Sequence, residues 1–431
     1  MDYKNKKVTI FGAGKSGVSS AKRLIQLGAS VLITESRSTI EADTLRYLHK
    51  MGARLELGGH REKDIEGAEL IIVSPGVHLD LPLLVDAKSR GVTIISEIEL
   101  AYQLIRKPII AVTGTNGKTT TTTLIGEMLK AGRKRVAVGG NIGLPLIEIE
   151  DKRLDYIVAE VSSYQLESIE KFKPWISLIL NIQPDHLERH HSMEEYMRQK
   201  ARIFMNQTGD DYLIYNLDDP NVADMVKNAK ARLIGFSRNQ SEIITLSPEA
   251  IKIPGRHNLE NALAAAQAAY LCGVKKEAVA RVLAKFPGVE HRIDFVRILK
   301  GVEFYNDSKG TNPDSTLVAI DTIPGKGINL ILGGRDKGVA LDLLAQKVKE
   351  KVKSVILIGE AAGRFESALR DAGFNNIYQA GFSMEEAVKQ SFAQAQTGEV
   401  VLLSPACASF DMFKNFEERG KVFKQLCSSL K

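Results

Sequence analysis

Residues 109–129 read IIAVTGTNGKTTTTTLIGEML, an apolar run followed by a glycine loop and a threonine-rich helix start. The apolar run at 109–112 predicts a buried strand, and the glycines after it predict a tight turn into the helix. Strand, glycine loop and helix in this order are typical of a parallel α/β sheet whose loop amides cradle phosphate.

This glycine loop has the residue types that hold a nucleoside triphosphate. Lys118 can reach the β- and γ-phosphates, and the Thr119 hydroxyl can bind Mg²⁺. Only two residues separate Gly114 from Gly117, fewer than in the usual P-loop, so the loop is a variant. The sequence predicts an ATP loop made of Gly114, Thr115, Asn116, Gly117, Lys118, Thr119 and Thr120.

The chain has 431 residues, which predicts two or three domains because one hydrophobic core rarely grows that large. Strand and helix signals alternate throughout, so we expect an α/β fold with three domains. These are a Rossmann-like domain at 1–96, a central P-loop ATPase-like domain with a parallel sheet at 97–289, and a C-terminal Rossmann-like domain at 290–431.

The composition is that of an ordinary globular protein, with 44% hydrophobic and 26% charged residues. A formal net charge of +6 suits a small anionic substrate, and the absence of a basic cluster interleaved with aromatics argues against nucleic acid. The three cysteines have no metal spacing, and no signal peptide or long apolar run is present. We expect a cytoplasmic monomer that does not insert into a membrane.

A second glycine motif, GAGKSG at 12–17, follows another predicted strand and precedes a helix. Glu35 ends the next predicted strand, at the distance where dinucleotide folds place an acidic ribose ligand. The motif suits any diphosphate and does not distinguish NAD from a UDP-sugar. A tight turn with no ligand is the third interpretation.

Further polar residues follow predicted strands of the central domain. Glu160 ends an apolar strand beside the ATP loop, where Mg²⁺ would bind. His186 follows Asp185 at another strand end, and a ligand role and a solvated role are about equally supported. Lys200 alone indicates a solvated helix lysine. Asn258 could be a helix N-cap or, with Asn261, could contact a nucleotide base.

Three polar loops follow predicted strands of the last domain, at 305–313, 333–338 and 404–411. Ligands of α/β sheets bind outside the carboxyl ends of strands. Each loop alone could be a solvated turn, but three such loops together suit a small dicarboxylate.

These motifs together resemble the Mur ligase family over essentially the whole chain. The shared segments are 114–119, 140–143, 160–163 and 185–187, and the discriminating segments are NDSK at 306–309 and SPACAS at 404–409. The resemblance implies an ATP- and Mg²⁺-dependent ligase that adds D-glutamate to UDP-N-acetylmuramoyl-L-alanine during peptidoglycan precursor synthesis.

The resemblance also implies a role for each matching residue. Lys118, His186 and Lys200 would be catalytic, and Lys200 would be carbamylated, which replaces its solvated interpretation. Thr119, Glu160, His186 and the Lys200 carbamate would bind Mg²⁺. Asn258, Asn261, Arg292 and Asp307 would contact ATP. The first domain would bind UDP rather than NAD, and the UDP-substrate residues would be Ser16, Gly17, Glu35, Arg37, Ser74, Pro75, Gly76 and Asn141. The D-glutamate residues would be Lys309, Thr311, Lys337, Ser409 and Phe416.

Three alternatives stay open at the level of sequence. Another ligase of the superfamily, such as a folylpolyglutamate synthase or a different Mur ligase, would share the ATP loop but not the 306–309 segment. An NAD-dependent dehydrogenase would explain the first glycine motif and leave Lys118 unexplained. A nucleotide-binding regulatory module would leave the magnesium-ligand candidates unexplained.

Overall fold

The computed structural model describes residues 2–150, 152–238, 251–253, 255–323 and 327–431. It confirms the α/β class, with three sheets that follow one another along the chain. The described residues divide into two compact units, one within the ranges 1–182, 194–246 and 260–282 and the other within 183–193, 247–259 and 283–431. No helix of the described ranges is long and apolar enough to cross a membrane.

The first sheet is parallel, with strand order β3-β2-β1-β4-β5. Its strands are β1 (Lys7–Phe11), β2 (Ser30–Glu35), β3 (Arg54–Leu57), β4 (Leu70–Val73) and β5 (Thr93–Ser96). Its helices are α1 (Lys15–Gln26), α2 (Ala42–Met51), α3 (Glu62–Ile65), α4 (Pro82–Ser89) and α5 (Glu97–Leu104). Chain order reverses at β1, so the loops after β1 and β4 face a common crevice.

The second sheet is also parallel, with strand order β11-β10-β9-β6-β8-β7. Its strands are β6 (Ile109–Thr113), β7 (Val136–Gly140), β8 (Tyr156–Glu160), β9 (Ile176–Ile179), β10 (Tyr212–Asn216) and β11 (Arg232–Phe236). The helices of this part of the chain are α6 (Lys118–Ala131), α7 (Ser163–Leu166), α8 (Leu187–His190), α9 (Met193–Ala201), α10 (Pro220–Met225), α11 (Arg256–Leu271) and α12 (Lys276–Lys285). Strand β6 lies between β8 and β9, so its loop is flanked by the loops of both neighbours.

The third sheet has strand order β12-β13-β17-β14-β15-β16. Its strands are β12 (Asp294–Leu299), β13 (Val302–Asn306), β14 (Ile328–Gly333), β15 (Val352–Ile358), β16 (Ile377–Gln379) and β17 (Val400–Leu403). Its helices are α13 (Pro313–Thr322), α14 (Asp342–Lys351), α15 (Ala362–Asp371), α16 (Met384–Gln394) and α17 (Phe416–Ser429). The three loops predicted to bind ligand follow β13, β17 and β14, which are neighbours in the sheet.

The sequence analysis did not anticipate that this third sheet is mixed. Strand β12 pairs antiparallel with β13, whereas the other pairs are parallel. Lys300 and Gly301 join the two strands with positive φ angles of 50° and 79°. A two-residue turn with positive φ at both positions matches the right-handed twist of a hairpin, so it returns the chain antiparallel.

Apolar residues alternate between the two faces of the third sheet. Leu330 and Leu357 belong to one buried cluster, and their neighbours Ile331 and Ile356 belong to another on the opposite face. Because side chains of a strand point to alternate faces, a sheet covered by helices on both sides buries every residue of its central strands.

Candidate active site

The glycine loop after β6 turns directly into α6. Gly117 precedes the helix with a φ of +82°, and a β-carbon there would lie 2.1 Å from Asn261 Oδ1. A side chain at this position would therefore be strained and would collide with α11. Asn261, which is 4% exposed, accepts a 3.3 Å hydrogen bond from Thr121. The structure thus brings Asn261 to the ATP loop.

Asn181, just beyond β9, fixes the conformation of this loop. Its side-chain oxygen accepts from the Asn116 amide at 2.8 Å, its side-chain nitrogen donates to the Asn116 carbonyl at 3.1 Å, and its own carbonyl accepts from the Thr115 amide at 2.9 Å. The sequence analysis missed Asn181. Its place at the end of the strand next to β6 is the signal that could have identified it.

Lys118 folds back over the loop that precedes it. Its ammonium donates to the carbonyls of Gly114 at 2.9 Å and Thr115 at 2.7 Å. The Lys118 charge therefore lies against the loop that is predicted to cradle phosphate. Thr120, also predicted to bind ATP, lies in the first turn of α6 and is buried.

Thr119 and Glu160 form the strongest candidate for a metal site. The Thr119 hydroxyl donates to Glu160 Oε2 at 2.7 Å, and the Asn141 amide donates to Glu160 Oε1 at 2.8 Å. Glu160 is only 2% exposed. Hydroxyl and carboxylate oxygens are the hard ligands that Mg²⁺ takes, so these residues fit the ion.

Thr119 and Glu160 alone would not complete the coordination of Mg²⁺. Among the residues that the structure describes, no three His, Cys, Asp or Glu side chains lie close enough together to hold a metal. Mg²⁺ commonly uses one or two carboxylates together with substrate phosphates and water. The Thr119–Glu160 pair is consistent with that mode of binding.

Lys200 is buried, which contradicts the interpretation as a solvated helix lysine. Its side chain is 2% exposed, and its ammonium donates to the Gly114 carbonyl at 2.8 Å. The same nitrogen lies 4.7 Å from the centre of the Tyr196 ring, and the Tyr196 hydroxyl lies 3.1 Å from that of Thr115. Lys200 therefore contacts the ATP loop directly.

The first glycine motif forms a close turn between β1 and α1. A β-carbon on Gly17 would lie 2.0 Å from the Gly12 carbonyl oxygen, so only glycine fits at this position. Ser74, at the end of β4, donates to the same oxygen at 3.4 Å and begins the 74–76 turn. Gly17 therefore lies beside Ser74, and the assignment of this turn to UDP stays a prediction.

Glu35 makes an ion pair at this edge of the first sheet. Its carboxylate accepts from the Ala13 amide at 2.8 Å and from the Arg37 guanidinium at 3.1 Å. Partial burial raises the pKa of Glu35, but the hydrogen bonds from Arg37 and Ala13 outweigh it and lower the pKa to about 2. Glu35 is thus a carboxylate that fixes the glycine loop.

Lys15 connects the first glycine loop to the second sheet. Its ammonium donates to the Gly143 carbonyl at 2.5 Å, in the loop that also carries Asn141. Asn141, predicted to bind the UDP-substrate, in turn bonds to Glu160. The first glycine motif and Glu160 therefore both bond to the 141–143 loop.

Within the second compact unit, Asp185 organises the residues around His186. Asp185 accepts from the His186 amide at 3.0 Å and from the Asn312 side chain at 2.9 Å, and it lies 3.7 Å from the Lys337 ammonium. His186 has a φ of +57°, which is uncommon for a non-glycine residue and is frequent at functional sites. The sequence analysis assigned no catalytic or binding role to Asp185 or Asn312.

Arg419 joins two of the three polar loops of the third sheet. Its guanidinium is 1% exposed and donates to the Ser308 hydroxyl and carbonyl and to the carbonyls of Cys407 and Ala408, at 2.8–3.2 Å. Burial lowers the pKa of Arg419 to about 10. The 333–338 loop pairs with the 404–411 loop through a 2.9 Å bond from the Arg335 amide to the Ala408 carbonyl. The sequence analysis missed Arg419, because nothing local marks a buried arginine.

The predicted D-glutamate residues lie on and beside these loops. The Lys309 ammonium lies 4.8 Å from the centre of the Phe416 ring. The Thr311 amide donates to the Lys309 carbonyl at 2.9 Å, and Ser409 is buried at the start of a turn. Lys337, on the 333–338 loop, is half-buried beside Asp185. Two cations at converging loops suit a ligand with two carboxylates.

Asp307 is a buried residue of the 305–313 loop. It is 1% exposed and accepts from the Ile293 amide at 3.2 Å and the Ser404 hydroxyl at 2.7 Å. Burial raises the pKa of Asp307 to about 6, although the Arg292 charge opposes this. Asn258 lies in the first turn of α11, which begins at Arg256, so the N-cap interpretation of Asn258 is wrong.

Three family models match the chain in sequence order. They are the Mur ligase MurD-like N-terminal domain at 6–96, the Mur ligase middle domain at 112–269 and the Mur ligase glutamate ligase domain at 291–407. The chain is 44% identical to the UDP-N-acetylmuramoylalanine–D-glutamate ligases of Caldanaerobacter subterraneus and Clostridioides difficile, and each match covers 100% of both chains.

Solved structures support the fold. The UDP-N-acetylmuramate-alanine ligase MurC of Thermotoga maritima is 21% identical, with a TM-score of 0.62 and coverage of 99% of this chain and 100% of that one. The MurF ligase of the same organism, solved with ADP, is 18% identical, with a TM-score of 0.61 and coverage of 99% and 96%.

Proposed function

The chain belongs to the Mur ligase family, and we propose that it joins D-glutamate to UDP-N-acetylmuramoyl-L-alanine with consumption of ATP. The observation that carries the proposal is the ATP loop itself. Lys118 covers its carbonyls, and Thr119 bonds to the buried Glu160 at 2.7 Å. A loop of this kind activates a substrate through phosphoryl transfer.

Activation is needed because a carboxylate and an amine do not condense at neutral pH. The L-alanine carboxylate attacks the γ-phosphorus of ATP, ADP leaves, and an acyl phosphate forms. The neutral D-glutamate amine then attacks the acyl carbon, and the tetrahedral intermediate loses a proton from nitrogen and releases inorganic phosphate as the amide forms. Lys118 stabilises the negative charge that develops on the transferring phosphoryl group.

We propose that Thr119, Glu160, His186 and a carbamylated Lys200 hold Mg²⁺. The ion, when bound, would screen the phosphate oxygens from the approaching carboxylate. Asn141 orients Glu160 through its 2.8 Å bond, as outer ligands commonly do. The N–H that a lysine carbamate retains can still donate to the Gly114 carbonyl, which the Lys200 ammonium now contacts at 2.8 Å.

The other sites are proposed on the same basis. We assign the UDP-substrate to the crevice after β1 and β4, and D-glutamate to the loops after β13, β14 and β17. Asn258, Asn261, Arg292 and Asp307 are proposed to bind ATP. The domains are proposed to divide at 96/97 and 289/290. A cytoplasmic monomer is also proposed, which cell fractionation and light scattering would test.

Phosphate release from ATP and Mg²⁺ with UDP-N-acetylmuramoyl-L-alanine tests the substrate assignment. D-glutamate, L-glutamate and L-lysine are offered as acceptors in parallel. We expect release, with amide product, only with D-glutamate. Release with another amino acid would still support a ligase but would reject D-glutamate as the acceptor.

Lys118→Ala tests the role of the ATP loop. We expect kcat to fall on the order of 10²-fold or more, because the transferring phosphoryl group loses the charge that Lys118 is proposed to supply. Lys130→Ala is the matched control, since Lys130 lies on the same helix and its ammonium, among the described residues, bonds to Glu127 on the surface. Near-normal turnover of Lys118→Ala would reject the assignment.

A further inference from the structure

A cavity lies at the amino end of the second sheet, at the edge opposite the ATP loop. We name it the amino-edge cavity. It is bordered by Ile109 at the start of β6, Trp175 just before β9 and Asp211 just before β10, and its volume is about 570 Å³. Strands β10, β9 and β6 are neighbours, so the three positions form one continuous floor. Small-molecule sites commonly have volumes of about 300–1,000 Å³.

The charge of the cavity is strongly positive. Its lining includes Arg106, Lys107, Lys171 and Lys173, against the single carboxylate of Asp211. The Lys173 ammonium lies 3.1 Å from Asp211, so these two charges offset each other. Within the described residues, neither Lys107 nor Lys171 has an ion-pair partner. Unpaired cations around a concave surface raise the local concentration of anions.

The walls of the cavity are held together by one buried carboxylate. Glu99, which is fully buried in α5, accepts from the backbone amides of Glu170, Lys171 and Phe172 at 2.8–3.0 Å and from the Gln103 side chain at 2.9 Å. Gln103 and Lys171 both line the cavity, and both bond to Glu99. A site whose walls are fixed in advance loses less entropy when a ligand binds.

Aromatic side chains complete the lining. Trp175 stacks on Tyr156 with a centroid distance of 5.8 Å and an interplanar angle of 18°, and Tyr102 packs edge-on against Phe172. Both rings are therefore fixed in orientation. Cations beside ordered rings are the combination with which proteins bind phosphorylated ring compounds.

We propose that the amino-edge cavity is a second anion site that binds a pyrophosphate group, either free or in a nucleoside diphosphate. Lys107 and Lys171 contact the phosphate oxygens, and Trp175 lies beside the ring of a nucleotide. The site is separate from the ATP loop, because the two lie at opposite ends of the same parallel strands.

Intrinsic fluorescence tests this proposal directly, because Trp175 is the single tryptophan of the chain. Inorganic pyrophosphate and UDP are titrated into the full-length protein. We expect a saturable change in Trp175 emission that weakens with salt, and about tenfold weaker binding in Lys107→Ala and Lys171→Ala, since each removes a charge-assisted contact. Tighter binding of UDP than of pyrophosphate would identify a nucleotide as the ligand.

Two variants separate the amino-edge cavity from other causes. Lys276→Ala removes one exposed charge elsewhere and should bind as the parent does. Lys118→Ala disables the ATP loop and should keep the fluorescence change. Ligase turnover without added pyrophosphate should be normal in Lys171→Ala, which reports an intact fold. A change that does not saturate, that weakens equally in Lys276→Ala, or that disappears in Lys118→Ala would overturn the proposal.

Discussion

Glu97 is a buried carboxylate whose protonation should link stability to pH. Its Oε1 accepts from the Ile147 amide at 2.7 Å, and its side chain is 1% exposed. Burial, assisted by the charge of Glu148, raises the pKa of Glu97 from 4.5 to about 7. The folded state therefore keeps a proton that the unfolded state loses near pH 4.5. The contribution of Glu97 to the free energy of unfolding is therefore fully present below pH 4.5 and is lost as the pH rises to about 7.

Glu97→Gln should remove this dependence while keeping an acceptor for the Ile147 amide. We expect the unfolding free energy of the variant minus that of the parent to increase by roughly 2–3 kcal/mol between pH 4.5 and pH 8. Urea unfolding at the two pH values measures the change. Glu62→Gln, at an exposed carboxylate, is the control. An equal stability difference at both pH values would contradict the raised pKa.

Lys200 gives a second prediction at this scale. Lys200→Ala should lose most activity, because the proposed carbamate no longer contributes its negative charge to the metal site. Added short carboxylates such as acetate should restore part of the activity by occupying the vacated volume. Rescue of activity in Lys200→Ala but not in Lys118→Ala would support the carbamate, and absence of rescue would argue against it.

Individual residues differ in how far the sequence alone could predict them. Lys118 and Thr119 follow strand β6 and its glycine loop, and Glu160 ends strand β8. Each could therefore be predicted from the residues next to it in the sequence. The burial of Lys200 depends on Gly114, which is 86 positions away. Asn181 is likewise 65 positions from the loop that it fixes. Such contacts depend on which strands become neighbours, and periodicity does not encode that order.

At the scale of elements, loops from neighbouring strands act together. Arg419 on α17 donates four hydrogen bonds to the loops after β13 and β17. Arg419→Met should fill similar volume but leave buried carbonyls without donors, at about 1–3 kcal/mol for each unsatisfied group. We therefore expect a rise in KM for D-glutamate together with lower stability.

Arg370→Met is the control for this substitution. Arg370 lies on the exposed face of α15 and, among the described residues, pairs with Glu366 on the surface, so its loss should cost less than about 0.5 kcal/mol. A variant of Arg419 with reduced stability but an unchanged KM for D-glutamate would show that the arginine supports the fold and does not position the loops.

Element types were predictable where the apolar pattern was continuous, as in β4, β8 and β17. The antiparallel strand β12 was not, because its residues are all half-buried or exposed and carry no strong apolar run. Lys300 and Gly301 form its turn with positive φ at both positions, and a Lys-Gly pair is a weaker hairpin signal than Asn-Gly.

At the scale of the whole molecule, three α/β units in series could be predicted from the alternation of strand and helix signals. Their boundaries at 96/97 and 289/290 remain predictions. The third unit is the best test, because both of its apolar clusters lie within 290–431. A sheet covered on both faces by its own helices meets the physical requirement for independent folding.

A fragment of residues 290–431 should therefore fold alone. We expect one cooperative urea transition with an unfolding free energy of roughly 5–15 kcal/mol. In the fragment, Leu330→Ala should cost about 2–5 kcal/mol because Leu330 is fully buried, whereas Leu343→Ala, at a 74% exposed side chain, should cost less than about 0.5 kcal/mol. Equal effects of the two substitutions would indicate a collapsed chain without the native core. A fragment that folds only when it begins at residue 283 would move the boundary into α12, since packing assigns 283–289 to the same compact unit.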